Sequence, residues 1–264
     1  MSIDFPTNTV ALIIAMMIGS ASGSWLILSQ GLRRLAIAPH VRRRWRWGAA
    51  IVLLVWLLGP LAFALNAPDG ALLATPAIIT LLGLGTLVGI LSLLISPLFR
   101  QLLRTVPETW LVSIHATRLG GLLFLALMDM KLLPAEFALP AGYGDMAVGL
   151  LALGLVSLLA QRKPYAHALA IGWNVLGLLD FVGALTTGIL FIGPFAAQVA
   201  ASGVSLLYLN YVLIVPSFGV PLYTLLHVYS LFQILSARRD ATKQGIGEPV
   251  QTLGSLEEQL SAHT

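Results

Sequence analysis

The sequence contains no cysteine. That absence removes disulfide staples, thiolate nucleophiles, thiolate zinc sites and iron–sulfur clusters together. Charge is almost as scarce. Asp, Glu, Lys and Arg make up 10% of the chain, against about 25% in an ordinary soluble domain. In their place 58% of residues are hydrophobic and the mean hydropathy is +0.89. A compact soluble protein cannot cover that much apolar surface, and a disordered chain is excluded by the same excess. No Ser–His–acid set can be assembled for hydrolysis, and no His-Glu-x-x-His zinc helix is present, so neither a catalytic group nor a metal ligand set is expected. Lysine is confined to Lys131, Lys163 and Lys243, at span ends or beyond them, which argues against a retinal Schiff base.

What is present is length without charge. Seven stretches, near 10–29, 48–66, 77–97, 110–131, 145–161, 168–190 and 213–236, are each long and apolar enough to cross a bilayer as helices. Lipid offers no partner to a backbone amide, so a spanning segment must be a helix or part of a closed barrel. The ten-residue alternation of a membrane barrel is missing. The expected fold is therefore all-α, a seven-transmembrane-helix bundle over 1–236, followed by a cytoplasmic, disordered tail over 237–264. Residues 195–212 are read as a short apolar outer or re-entrant helix before the last span, because an eighth span would place the final basic cluster on the other side.

The cations set the orientation. Thirteen of the fifteen Lys and Arg fall in the connections after spans one, three and five and after span seven, which share one face of a seven-span bundle. The positive-inside rule makes that face cytoplasmic, with the N-terminus outside and the C-terminus inside. The first span lacks a basic leader and is followed by Arg33 and Arg34, so it is expected to be an uncleaved anchor. Six arginines lie between Leu32 and Trp47, interleaved with Trp45 and Trp47. A loop tied between two spans lies on the bilayer, so Arg33–Arg46 is read as holding anionic lipid, not nucleic acid. Gly85 and Gly89 of a Gly83-x-Gly85-x-x-x-Gly89 run sit on one helix face and allow a neighbouring helix to approach.

The remaining ionisable residues carry the functional signal, since charge at bilayer depth is costly and seldom without purpose. His115 and Arg118 are three apart in span four, with Asp129 expected further along the same face. Asp180 stands near mid-depth in span six, with Asn174 one turn nearer the basic face. Tyr223, His227 and Ser230 share a face of span seven above Pro216 and Pro221. Counting depth at 1.5 Å per residue puts these side chains at similar levels and predicts an Arg118–Asp180 ion pair supported by His115, Asn174 and His227. Asp145 is expected to cap the first turn of span five after an outer loop, with ligand binding as its second reading. The candidate ligand-binding set is Arg118, Asp180, Asn174, His115, His227, Tyr223 and Asp145. Two histidines on different helices also admit a single b-type haem with His115 and His227 as axial ligands.

Four elements in the second half of the chain carry a resemblance. They are Arg118-Leu-Gly-Gly121, Phe137-Ala-Leu-Pro-Ala-Gly-Tyr-Gly-Asp145, Trp173-Asn-Val-Leu-Gly-Leu-Leu-Asp180-Phe and Val220-Pro-Leu-Tyr-Thr-Leu-Leu-His227. Together they resemble a family of uncharacterised bacterial multi-pass inner-membrane proteins. The resemblance implies the bacterial inner (cytoplasmic) membrane and transfers no activity. The expected function is binding or translocation of a small anionic or protonatable solute at the buried polar pocket. A haem cytochrome or sensor is one alternative, and an accessory or assembly subunit in which the cluster is structural is another.

Overall fold

The computed structural model describes residues 7–66, 76–203 and 207–247. All regular structure among them is helical. In chain order the elements are α1 (Thr7–Arg34), α2 (Pro39–Asn66), α3 (Pro76–Ile95), α4 (Pro97–Thr105) and α5 (Glu108–Ser113). A 3-10 segment, Ile114–Gly121, leads into α6 (Leu122–Asp129). Then follow α7 (Ala135–Ala160), α8 (Ala166–Thr187), a π turn at Gly188–Ile192, α9 (Gly193–Ala201) and α10 (Leu207–Val212). A second π turn, Val215–Gly219, opens α11 (Val220–Gly247). Six helical stretches are long and apolar enough to span a bilayer, and a seventh results if the bent pair α3–α4 counts as one. The protein is a multi-pass membrane protein.

Several boundaries depart from the sequence expectations, each for a local reason. The third apolar run ends at Ile95, and the chain turns by 94° into α4. Ser96 caps α4, its hydroxyl accepting from Phe99 N at 3.1 Å, with Pro97 at the first helical position. This is the start signal of a helix, within the stretch that the sequence reads as the connection after span three. Helix α4 buries Phe99, Leu102 and Leu103 and leaves Arg104 exposed, an amphipathic pattern. The fifth span begins ten residues earlier than expected, at Ala135, and runs through Pro140. Asp145 is therefore inside a helix and is not its cap.

The described helical residues of 195–212 divide between two helices. Helix α9 continues the α8 helix to Ala201, giving a 36-residue apolar helix, and α10 leads into the last span. The two π turns fall where the sequence strains the α-helix, around Gly188 and at Pro216, whose missing amide cannot bond one turn back. The expected disordered tail is helical as far as Gly247, and 248–264 lie outside the described residues.

Small residues set the packing that matters for the site. Helix α7 presents buried Ala138, Ala141, Gly142, Gly149 and Ala152, a stripe at three- and four-residue spacing that lets backbones meet. A Cβ added at Gly149 would stand 2.9 Å from Leu119 N, and one at Gly121 would stand 2.6 Å from Gly142 O. The 3-10 segment is thus pressed directly onto α7. Gly85 and Gly89 act in the same way elsewhere, the first against Trp56 and the second against Leu225 and Tyr229. Tyr229 also donates to Gly89 O at 3.1 Å.

Candidate functional site

The site grows out of the 3-10 segment. With three residues per turn, side chains at i and i+3 eclipse one another, so His115, Arg118 and Gly121 form one line facing α7, α8 and α11. His115 is fully buried and Arg118 is 2% exposed. The same tightening explains why Asp129 misses the line. Eight residues wound at three per turn shift the face of everything after them, and Asp129 ends α6 exposed.

Arg118 is held on three sides. Its Nε donates to Asp145 Oδ1 at 2.7 Å, its Nη2 pairs with Asp180 Oδ2, and its Nη1 lies 3.1 Å from His227 Nε2. The face of the guanidinium rests on Phe181, 4.1 Å from the ring centroid, a cation–π contact that strengthens when desolvated. Two glycines make the room. A Cβ on Gly144 would collide with Asp180 Oδ1, and one on Gly177 with His227 Nε2.

Beyond His227 the network has a direction. Asn174 Nδ2 donates to Ala170 O at 2.8 Å and to Ser230 Oγ at 2.9 Å, so its Oδ1 is the acceptor facing His227 Nδ1 at 2.8 Å. This makes Nδ1 the protonated nitrogen of a neutral His227 and leaves Nε2 to accept from Arg118. Ser230 Oγ donates to Glu108 Oε1 at 3.5 Å, and Glu108 Oε2 lies 3.4 Å from His167 Nε2. Glu108 opens α5 and His167 lies in the first turn of α8, so the network reaches a helix end where His167 is exposed. An amide cannot take up a proton at one atom and release it from another at ordinary cost. Asn174 therefore orients its neighbours and breaks any proton relay between Glu108 and Arg118.

The structure brings together Arg118, Asp145, Asp180, Asn174 and His227 in one bonded network. Tyr223 sits beside it. Its hydroxyl is 2.7 Å from both Ser20 Oγ and Thr117 Oγ1, tying α1 and the 3-10 segment to α11. His115 is packed by rings: Trp173, Tyr223 and His227 have centroids at 4.8, 5.5 and 4.1 Å. Both of its nitrogens are buried without a hydrogen-bond partner. The haem reading is not supported by this arrangement. The two imidazoles already touch, leaving no space for a porphyrin between them, and both nitrogens of His227 are engaged. Among the described residues no group of three or more His, Asp or Glu is placed to hold a metal ion.

Space at the centre is small. A cleft of about 30 Å³ reaches Arg118 and Asp145 past Met16, Thr117, Gly121 and Tyr223. That is room for about one water molecule and not for an organic solute in this conformation.

A family model described as a domain of unknown function (DUF8737) matches residues 75–235. The chain belongs to this family. The family's domain begins at the start of α3 and contains every member of the network, from Glu108 to Ser230, while α1 and α2 precede it. No curated protein and no solved structure matches the chain.

Sequence reasoning missed two parts of the network, Glu108 and His167, and placed a third, Asp145, at a helix start. Glu108 follows Pro107 at the mouth of a span, where an acidic residue reads as an ordinary first-turn charge. His167 looks equally ordinary at the start of the next hairpin. Asp145 reads as the cap of span five because Pro140, Gly142 and Gly144 precede it. The signal that distinguishes Gly142 is its four- and seven-residue spacing from Ala138 and Gly149, which is a helix-packing period and not a turn.

Proposed function

We propose that the protein binds, and exchanges across the bilayer, a proton or a small protonatable, cationic solute at the Arg118 centre. The observation that carries this reading is a charge count. One guanidinium is flanked by two carboxylates, Asp145 and Asp180, at mid-span. Unneutralised charge in hydrocarbon is costly, so a cluster of one cation and two carboxylates is a place for one further positive charge. The anionic arm of the expectation is correspondingly weakened, since Arg118 is already compensated. Asp145 and Asp180 would share the incoming charge, Arg118 would hold the two apart, and the His227–Asn174–Ser230 chain would fix the guanidinium. Passage to the opposite face requires Asn174 to turn away from His227, because an amide does not relay protons; the small cleft beside Asp145 and Thr117 is the approach. Opening it for anything larger than water requires the α7 glycine stripe or the π turn at Pro216 to shift.

The basic connections support an orientation with the N-terminus outside, the C-terminus inside and Arg33–Arg46 against anionic headgroups, and the resemblance noted in the sequence favours the inner membrane of a bacterium. The test is a flux measurement in proteoliposomes with an entrapped pH dye, with and without a panel of small amines. The reading expects wild-type flux to be lost in Asp180→Asn and reduced at least tenfold in Asp145→Asn, both still folded. Flux absent in wild type, or unchanged in both variants, would leave the cluster a structural tie. A structural role is the second reading, favoured by the engagement of all three Arg118 nitrogens with Asp145, His227 and Asp180.

A further inference from the structure

A second feature, independent of the Arg118 centre, lies between α1 and α2. A groove of about 400 Å³ runs between the Ile14–Trp25 face of α1 and the Ala50–Leu61 face of α2, with Ile214 at its floor. Its lining is apolar apart from Ser22, and its walls stay open, with Ile18 and Leu54 about half exposed. The stretch from Ala50 to Leu61 rises about 16 Å, roughly half of a hydrocarbon core about 30 Å thick. The groove is thus as long as one leaflet is deep.

Its end is marked by charge. Counting back along the Ala50 stripe by one and two turns gives Arg46 and Arg43. Arg46 lies over Trp25, a groove residue, with its guanidinium carbon 5.6 Å from the ring centroid, and Trp25 Nε1 donates to Arg46 O at 3.1 Å. The Arg46 Nε has no hydrogen-bond partner, and Arg43 is exposed. A guanidinium seated on a tryptophan at the end of a leaflet-deep apolar groove matches, in charge and length, an acyl chain attached to a phosphate.

We propose that this groove is a discrete site for one anionic phospholipid, its phosphate on Arg46 and Arg43 and one acyl chain along α2 to Leu61. This goes beyond a general attraction of basic residues to the surface, because it fixes stoichiometry and position. The two helices that form it precede the family domain, so a lipid seated there would brace them against the last span through Ile214.

Native mass spectrometry of the full chain in mild detergent, titrated with phosphatidylglycerol or with phosphatidylcholine of the same chains, tests it. The expected result is one retained phosphatidylglycerol per chain and at least fivefold weaker retention of phosphatidylcholine. Arg43→Gln/Arg46→Gln should lower phosphatidylglycerol retention at least fivefold. So should Leu54→Trp, which fills the groove and leaves the arginines in place, and Leu58→Trp serves if Leu54→Trp does not fold. Equal retention of the two lipids would overturn the site, as would unchanged retention in the groove-filling variant. A dimer that dissociates when the groove is filled would also overturn it, by making a second copy the occupant.

Discussion

At the scale of residues, Arg118 is the side chain on which the others depend. Removing it leaves two buried carboxylates without a counter-charge, so Arg118→Ala should destabilise the protein by about 3–5 kcal/mol. Thermal unfolding in detergent reads this directly. Neutralising the whole cluster as Arg118→Met/Asp145→Asn/Asp180→Asn should recover most of the loss, because no charge is then left unpaired. The glycines make a second contrast. Gly177→Ala drives a methyl into His227 Nε2, whereas Gly172 has nothing within 4 Å of an added Cβ. The first should lower stability by about 1–3 kcal/mol and the second should be neutral or stabilising by up to about 1 kcal/mol. The Arg118–Asp180 pair was legible in the sequence because charges at bilayer depth are few and must find one another. Asp145 was not legible as the third member. A carboxylate after Pro140 and two glycines looks like a helix start until the neighbouring backbone that those glycines admit is known.

At the scale of elements, the 3-10 segment Ile114–Gly121 is the unusual piece. Its hydrogen bonds are poorer than those of an α-helix, and it is kept in place by close contact with α7 at Gly149 and Gly142. Amides of 114–121 are expected to exchange with solvent deuterium faster than those of the flanking α5 and α6 turns. Hydrogen-exchange mass spectrometry resolves that difference. Gly149→Val should widen it further by forcing the segment off α7. Apolar run lengths made most spans legible, since run length is what a bilayer selects. Local winding was not legible, because a 3-10 stretch and an α stretch share the same hydropathy and differ in packing alone. The bend at Ser96 is an intermediate case. Ser-Pro followed by Phe99, Leu102 and Leu103 is a capped amphipathic helix in miniature, and its brevity hid it between two long spans.

At the scale of the whole molecule, the charge asymmetry predicts a fixed orientation. The lack of native cysteine makes every introduced thiol unique. In right-side-out vesicles Ser202→Cys should react with an impermeant maleimide, whereas Thr242→Cys should react after permeabilisation alone. The reverse pattern would invert the proposed topology. The surplus carboxylate beside Arg118 is what makes the centre a cation site, and infrared difference spectroscopy of the protein in lipid reads it most directly. Stepping the pH should reveal a carboxylic acid band that is lost in Asp180→Asn or Asp145→Asn, or that vanishes when a cationic solute binds. A wild-type spectrum with no such band at any pH, and no response to any cationic solute, would contradict the proposal and leave Arg118, Asp145 and Asp180 as a tie between helices.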